Sequence, residues 1–274
     1  LFIGAEGTLG IVTAAVLQLF ALPAQRATAM VAVGTVEAAV ELLSRARAAA
    51  GDVLDCVELL SRRGLEFSLK HVPDTADPLS DPHPWYLLIE LATGDSGRAL
   101  GEVLEALLAE AYEDGLVRDA AIAASEGQAR DFWRLREELS EAQKKEGGSI
   151  KHDISVPISE IPRFLARATA LVERMIPGVR PVPFGHLGDG NLHFNLSQPE
   201  GADREAFMAR WEEINRAVHE IVVEMGGSIS AEHGIGRLMV AENKHFKSAV
   251  EIELMARVKA ALDPGNIMNP GKVL

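Results

Sequence analysis

Two rhythms of apolar residues alternate along the chain. A β-rich run at Met30-Val31-Ala32-Val33 leads into residues 36–49, where apolar positions recur at helical spacing up to Gly51. Residues 53–60 read as extended, and residues 85–91 as a strand between Pro84 and Gly94. A helix over 98–112, stopped by Gly115, precedes a strand over 117–124. Residues 126–146 predict one long charged helix closed by Gly147-Gly148. Residues 149–157 are extended, and 160–175 are helical with Pro162 near the first turn. The pattern then gives a hairpin over 182–196, a long helix over 204–225 and a strand over 228–231. A helix over 240–262 ends at Asp263-Pro264-Gly265. Residues 73–84, with Pro73, Pro78, Pro82 and Pro84, predict an exposed loop.

A β-α-β order that recurs without a Gly-rich phosphate loop predicts an α+β fold. Its sheet is mainly antiparallel with helices covering one face, plus a C-terminal helical segment. The formal net charge of −13, from 27 basic and 40 acidic residues, repels phosphate backbones and anionic lipid, so nucleic acid is a poor partner. No apolar run reaches the roughly 18 residues of a membrane-spanning helix. The single cysteine, Cys56, excludes an intrachain disulfide and any multi-cysteine metal site, and a reducing compartment fits best. The opening Leu1-Phe2-Ile3-Gly4 has neither an initiator Met nor a basic leader, so a longer parent protein is expected.

The stretch with most chemistry is Phe184-Gly185-His186-Leu187-Gly188-Asp189-Gly190-Asn191-Leu192-His193-Phe194-Asn195-Leu196. Asp-Gly between alternating segments signals a two-residue type I′ turn, which sets His186 opposite His193. His186, Gly188, Asn191, His193 and Asn195 then share one face, and Leu187, Leu192, Phe194 and Leu196 the other. Opposed residues have Cβ atoms about 4.5–5.5 Å apart, close enough for two imidazoles to share one ion. Either histidine alone reads as an ordinary surface or structural group; paired across a turn beside Asn195, they point to metal binding or catalysis. A carboxylate would complete a His₂-carboxylate set, and Ile229-Ser230-Ala231-Glu232-His233-Gly234-Ile235-Gly236 offers one. Glu232 and His233 address one site only where the strand breaks, as Gly234 and Gly236 allow. Arg136, among Glu137, Glu138 and Glu141, reads either as a solvated helix ion pair or as a fork for a carboxylate.

Three separated motifs, Gly-His-Leu-Gly-Asp-Gly-Asn-Leu-His at 185–193, Ile-Ser-Ala-Glu-His-Gly-Ile-Gly at 229–236 and Asp-Pro-Gly-Asn-Ile-Met-Asn-Pro-Gly-Lys at 263–272, resemble the FAD-linked 2-hydroxy-acid dehydrogenases. These are the D-lactate, glycolate and D-2-hydroxyglutarate dehydrogenases of the vanillyl-alcohol-oxidase superfamily. Residues 4–13 are similar to the closing segment of that family's FAD-binding domain, with Ala5 where Ser is usual. Their glycine spacing is not a Rossmann fingerprint, so no nicotinamide site is read from it.

The resemblance implies residues 1–22 as the tail of an FAD-binding domain. Residues 23–240 would form a ferredoxin-like substrate and cap domain, and 241–274 a helical segment returning to the flavin. It implies oxidation of a D-2-hydroxy acid to the 2-oxo acid, with hydride passing to flavin N5. His186, His193 and Glu232 would hold a divalent metal, zinc or manganese, and His233 would take the hydroxyl proton. Arg136, Ser140 (Thr in the hydroxyglutarate enzymes), Lys151 and Asn195 would bind substrate; Gly7, Gly10, Ile11 and Asn269 would lie at the FAD. An electron-transfer flavoprotein, quinone or cytochrome would reoxidise the flavin. The resemblance also implies a cytoplasmic or mitochondrial-matrix setting, with peripheral membrane association and a homodimer left open. Two other readings stand beside this one: a metal-dependent hydrolase or lyase without flavin, and a catalytically incomplete metal- and acid-binding fragment.

Overall fold

The computed structural model describes residues 1–274, which divide into two units, Ala21–Ile229 and a second made of Leu1–Phe20 with Ser230–Leu274. The first unit holds all the strands: β1 (Gln25–Val33), β2 (Leu54–Ser61), β3 (Trp85–Thr93), β4 (Val117–Ile122), β5 (Ser149–Ile150), β6 (Asp153–Ser155), β7 (Arg180–His186) and β8 (Asn191–Ser197). They form one sheet in the order β4-β1-β3-β2-β7-β8-β5, with β6 also on β8, and every pairing is antiparallel. The same unit carries α1 (Val36–Ala50), α2 (Arg62–His71), α3 (Leu100–Glu113), α4 (Glu126–Glu137), α5 (Leu139–Lys144), α6 (Ile161–Met175), α7 (Arg204–Met208) and α8 (Trp211–Glu224).

Strand alternation sorts the side chains into two cores. Ala29, Val31, Val57, Leu59, Leu87, Ile89, Leu192, Phe194 and Leu196 point to the face that packs on α1, α3, α6 and α8. On α6, Ile161, Phe164, Leu165, Ala168 and Val172 follow helical spacing and are buried, and Phe164 meets Phe194 edge-on at 5.5 Å. The opposite face carries Met30, Leu60, Tyr86, Leu88, Val182 and Phe184 against α2, α4 and α5. The α+β class and the antiparallel sheet are therefore borne out, and helices cover the second face as well as the first.

Element boundaries differ from the pattern where local caps intervene. α2 had no counterpart in the pattern; Ser61 caps it by accepting from Gly64 N, and Gly64, Leu65, Phe67 and Ser68 are buried. The single helix expected over 126–146 is two, α4 and α5, meeting at Glu138. That expected over 204–225 is α7 and α8, joined through Ala209 and Arg210. The strand expected at 228–231 is reduced to an isolated bridge between Ser155 and Ser228.

The second unit is built from α9 (Val240–Phe246), α10 (Ala249–Leu262) and irregular chain. A capping box of Ser248 with Glu251 starts α10, which breaks the single helix expected over 240–262.

Candidate functional site

The hairpin of β7 and β8 corrects the register read from Asp189-Gly190. His186 pairs with Asn191 and Phe184 with His193, so Leu187 to Gly190 form a four-residue loop. Partners outside the hairpin hold both ends of this loop: Leu187 N donates to Val57 O at 2.9 Å, and Gly190 O accepts from Val156 N at 3.1 Å. Only Gly190 has a left-handed backbone (φ +83°), and a Cβ there would collide with Val156 O. Because the slip is of two residues, each side chain keeps its face. His186 and His193 are diagonal neighbours, ring centroids 6.1 Å apart and nearly perpendicular.

Around this pair the first unit assembles a polar network. Glu58, buried on β2 directly across from His186, accepts from His186 Nδ1 at 2.5 Å and from Arg136 Nε at 2.6 Å. Burial pushes the Glu58 carboxyl up, but the His186 hydrogen bond and the Arg136 charge outweigh it and hold it below its usual value. An ionised carboxylate only accepts, so the His186 proton sits on Nδ1. The Arg136 guanidinium lies over the Phe184 ring at 4.9 Å, and Phe184 also stacks, tilted, on His193 at 4.9 Å. Asp153, opposite His193 on β6, has Oδ1 at 4.0 Å from His193 Nδ1.

Other residues singled out from sequence lie in the same unit. Asn195, buried two residues beyond His193, donates to Gln143 Oε1 at 2.9 Å, and Gln143 donates to Ser197 Oγ. Ser140 is half-buried on α5. Lys151 stands on the turn between β5 and β6, where partial desolvation and the Lys144 charge hold its ammonium below the ordinary value. The adjacent His152 is buried with Nδ1 at 2.7 Å from Phe194 O; burial, then His219, pushes it down to about 3. A separate open groove of about 1070 Å³ runs past Arg26, Glu90 and Trp133, where Glu90 accepts from Thr28 and Trp133.

In the second unit, Glu232 and His233 lie in irregular chain, Oε1 and Nε2 being 3.8 Å apart. Glu6 clamps the turn that follows: its carboxylate accepts from Ile235 N at 2.7 Å and Gly236 N at 2.6 Å, and a Cβ on Gly234 (φ +84°) would strike it. Asn269 donates to Glu6 O at 2.6 Å and also approaches Gly7. Lys259 ties Thr8 O and Met268 O, each at 2.7 Å, and pairs with Asp263. The Lys259 hydrogen bond holds the Asp263 carboxyl below its usual value. Residues 4–8, 232–236 and 263–273 are thus knitted within one unit, while Ile11 is 77 % exposed.

Glu58 and Glu6 were not among the candidates. The available signal for Glu58 is an acidic residue inside the apolar run Val57-Glu58-Leu59-Leu60, where an unpaired charge would be costly.

This architecture is that of an FAD linked oxidase C-terminal domain. A solved p-cresol methylhydroxylase with substrate bound superposes with a TM-score of 0.65 over 92 % of this chain and 53 % of that one, at 13 % identity. The family model for FAD linked oxidases, C-terminal domain, matches residues 22–273, and the chain belongs to that family. It is 36 % identical to a D-2-hydroxyglutarate dehydrogenase of Xanthomonas citri pv. viticola, over 100 % of this chain and 56 % of that protein. It is 39 % identical to a probable mitochondrial D-2-hydroxyglutarate dehydrogenase of Oryza sativa subsp. japonica, over 100 % of this chain and 48 % of that one. The chain spans about half the length of these curated relatives.

Proposed function

We propose that this chain is the substrate-binding part of a flavoprotein that oxidises D-2-hydroxyglutarate, or a close D-2-hydroxy acid, to the 2-oxo acid. The observation that carries the reading is the Glu58 carboxylate holding an imidazole and a guanidinium side by side, in a family of FAD linked oxidases. FAD, when bound, takes the hydrogen and electron pair of the Cα–H bond. Gly7, Gly10, Ile11 and Asn269 are the residues of this chain assigned to it.

The donor chemistry fits a divalent metal. With the His186 proton on Nδ1, Nε2 of the neutral ring carries the lone pair, and two imidazoles with a carboxylate suit zinc or manganese. His186, His193 and Glu232 are the residues assigned to hold it. A bound ion would act as a Lewis acid, lowering the pKa of the substrate hydroxyl.

The remaining roles belong to this chain's own groups. Arg136 engages Glu58 through Nε, which keeps its two Nη groups for a substrate carboxylate, with Lys151 as a point charge. Ser140 and Asn195 hydrogen-bond the substrate, Asn195 held by Gln143. His233 takes the hydroxyl proton as general base. A physiological electron acceptor then reoxidises the flavin, and the bacterial and mitochondrial names of the relatives support a cytoplasmic or matrix setting. No helix is long and apolar enough to cross a membrane.

The test is spectroscopic. The full-length protein is expected to be yellow and to bleach when D-2-hydroxyglutarate is added anaerobically, and more slowly with lactate or glycolate. Absence of flavin, or no bleaching with any 2-hydroxy acid, overturns the reading and favours metal-dependent hydrolysis.

A further inference from the structure

We infer that Glu58 is a positioning residue that couples the metal-binding imidazole of His186 to the substrate-binding guanidinium of Arg136; the inference rests on the proposed function. The geometry points to a bridge rather than to two independent contacts. One carboxylate, only 2 % exposed, uses Oε1 for the ring and Oε2 for the guanidinium, so neither partner can turn without moving the other. The bridge has a firm foundation. Glu58 and His186 are a directly opposed pair on β2 and β7, and Arg136 is pinned from its other side by the Phe184 face.

Each half of the bridge has a definite chemical effect. Toward His186, the acceptor selects the tautomer that presents Nε2 as a lone-pair donor and stops the ring from flipping, as carboxylate partners of metal-bound histidines do. Toward Arg136, the same carboxylate supplies the counter-charge that a guanidinium needs when it is buried to 9 % exposure. It also fixes the plane of the fork, and therefore the direction in which the Nη groups are offered. Metal affinity and carboxylate recognition are then read out of one side chain that touches neither ligand. The proposal makes Arg136, which is not a metal ligand, a determinant of metal affinity.

The experiment titrates Zn²⁺ calorimetrically into metal-stripped full-length protein and, separately, measures KM and kcat for D-2-hydroxyglutarate. Glu58→Gln, which is nearly isosteric, is expected to weaken Zn²⁺ binding by about 10–100-fold and to raise KM, with melting temperature recorded alongside. Arg136→Lys keeps the positive charge but loses the planar Nε–H, and is expected to raise KM and to weaken Zn²⁺ binding too, by less. Should Glu58→Gln fail to fold, Arg136→Lys reads the same coupling. Wild-type Zn²⁺ affinity and KM in Glu58→Gln overturn the proposal, leaving Glu58 a purely structural ion-pair partner. Weakened Zn²⁺ binding in Glu58→Gln with wild-type binding in Arg136→Lys overturns the coupling. Wild-type protein that binds no Zn²⁺ and shows no flavin bleaching fails at the earlier step, the proposed function itself.

Discussion

At the scale of single residues, charge is placed where burial makes it costly and a partner makes it stable. Glu146 is one such case: burial raises its carboxyl, but hydrogen bonds from Lys70, His71 and Arg180 bring it down to about 2. A carboxylate whose pKa is depressed on folding stabilises the fold above its unfolded pKa of roughly 4.3, and that contribution fades as pH falls toward 2. Glu146→Gln is therefore expected to lower the melting temperature at pH 7, and the gap from wild type to narrow in thermal melts as pH drops from about 4.3 toward 2. A second prediction concerns chemistry. His233→Ala in the full-length enzyme should reduce kcat by a factor on the order of 10²–10⁴ while Zn²⁺ stays bound, the usual range for a lost general base. Turnover at the wild-type level would remove His233 from the mechanism.

The sequence was most legible at the scale of elements, and its gaps have physical causes. Helical spacing found α1, α3 and α6, because each buries one stripe against a sheet. The turn chemistry of Asp189-Gly190 located the hairpin and put His186 and His193 on one face, but missed its loop. That loop is set by Val57 O and Val156 N, groups contributed from distant parts of the chain. Glu58 stayed hidden for a related reason: an acidic residue in an apolar strand looks like an interruption until its partners, 78 and 128 positions away, are known. The loop supplies its own test. Gly190→Ala demands a left-handed alanine and displaces Val156, so denaturant melts should show a loss of at least about 1–2 kcal/mol. Zn²⁺ affinity should fall with it, because Gly190 precedes the strand that carries His193.

At the scale of the whole molecule, the sheet is two broad halves stitched together where β2 meets β7. The stitch has three residue pairs, Glu58 with His186, Leu59 with Gly185 and Leu60 with Phe184, against nine between β1 and β3. Two of those three pairs carry groups of the candidate site. Chemistry and architecture therefore share a hinge line: any sway of one half-sheet against the other shears the imidazole past the carboxylate that steadies it. Helices α1 and α6, packed in the same core across that line, act as splints. Their distance from the candidate site gives no protection against a loosening substitution, since slack introduced there is delivered to the histidine and the arginine together.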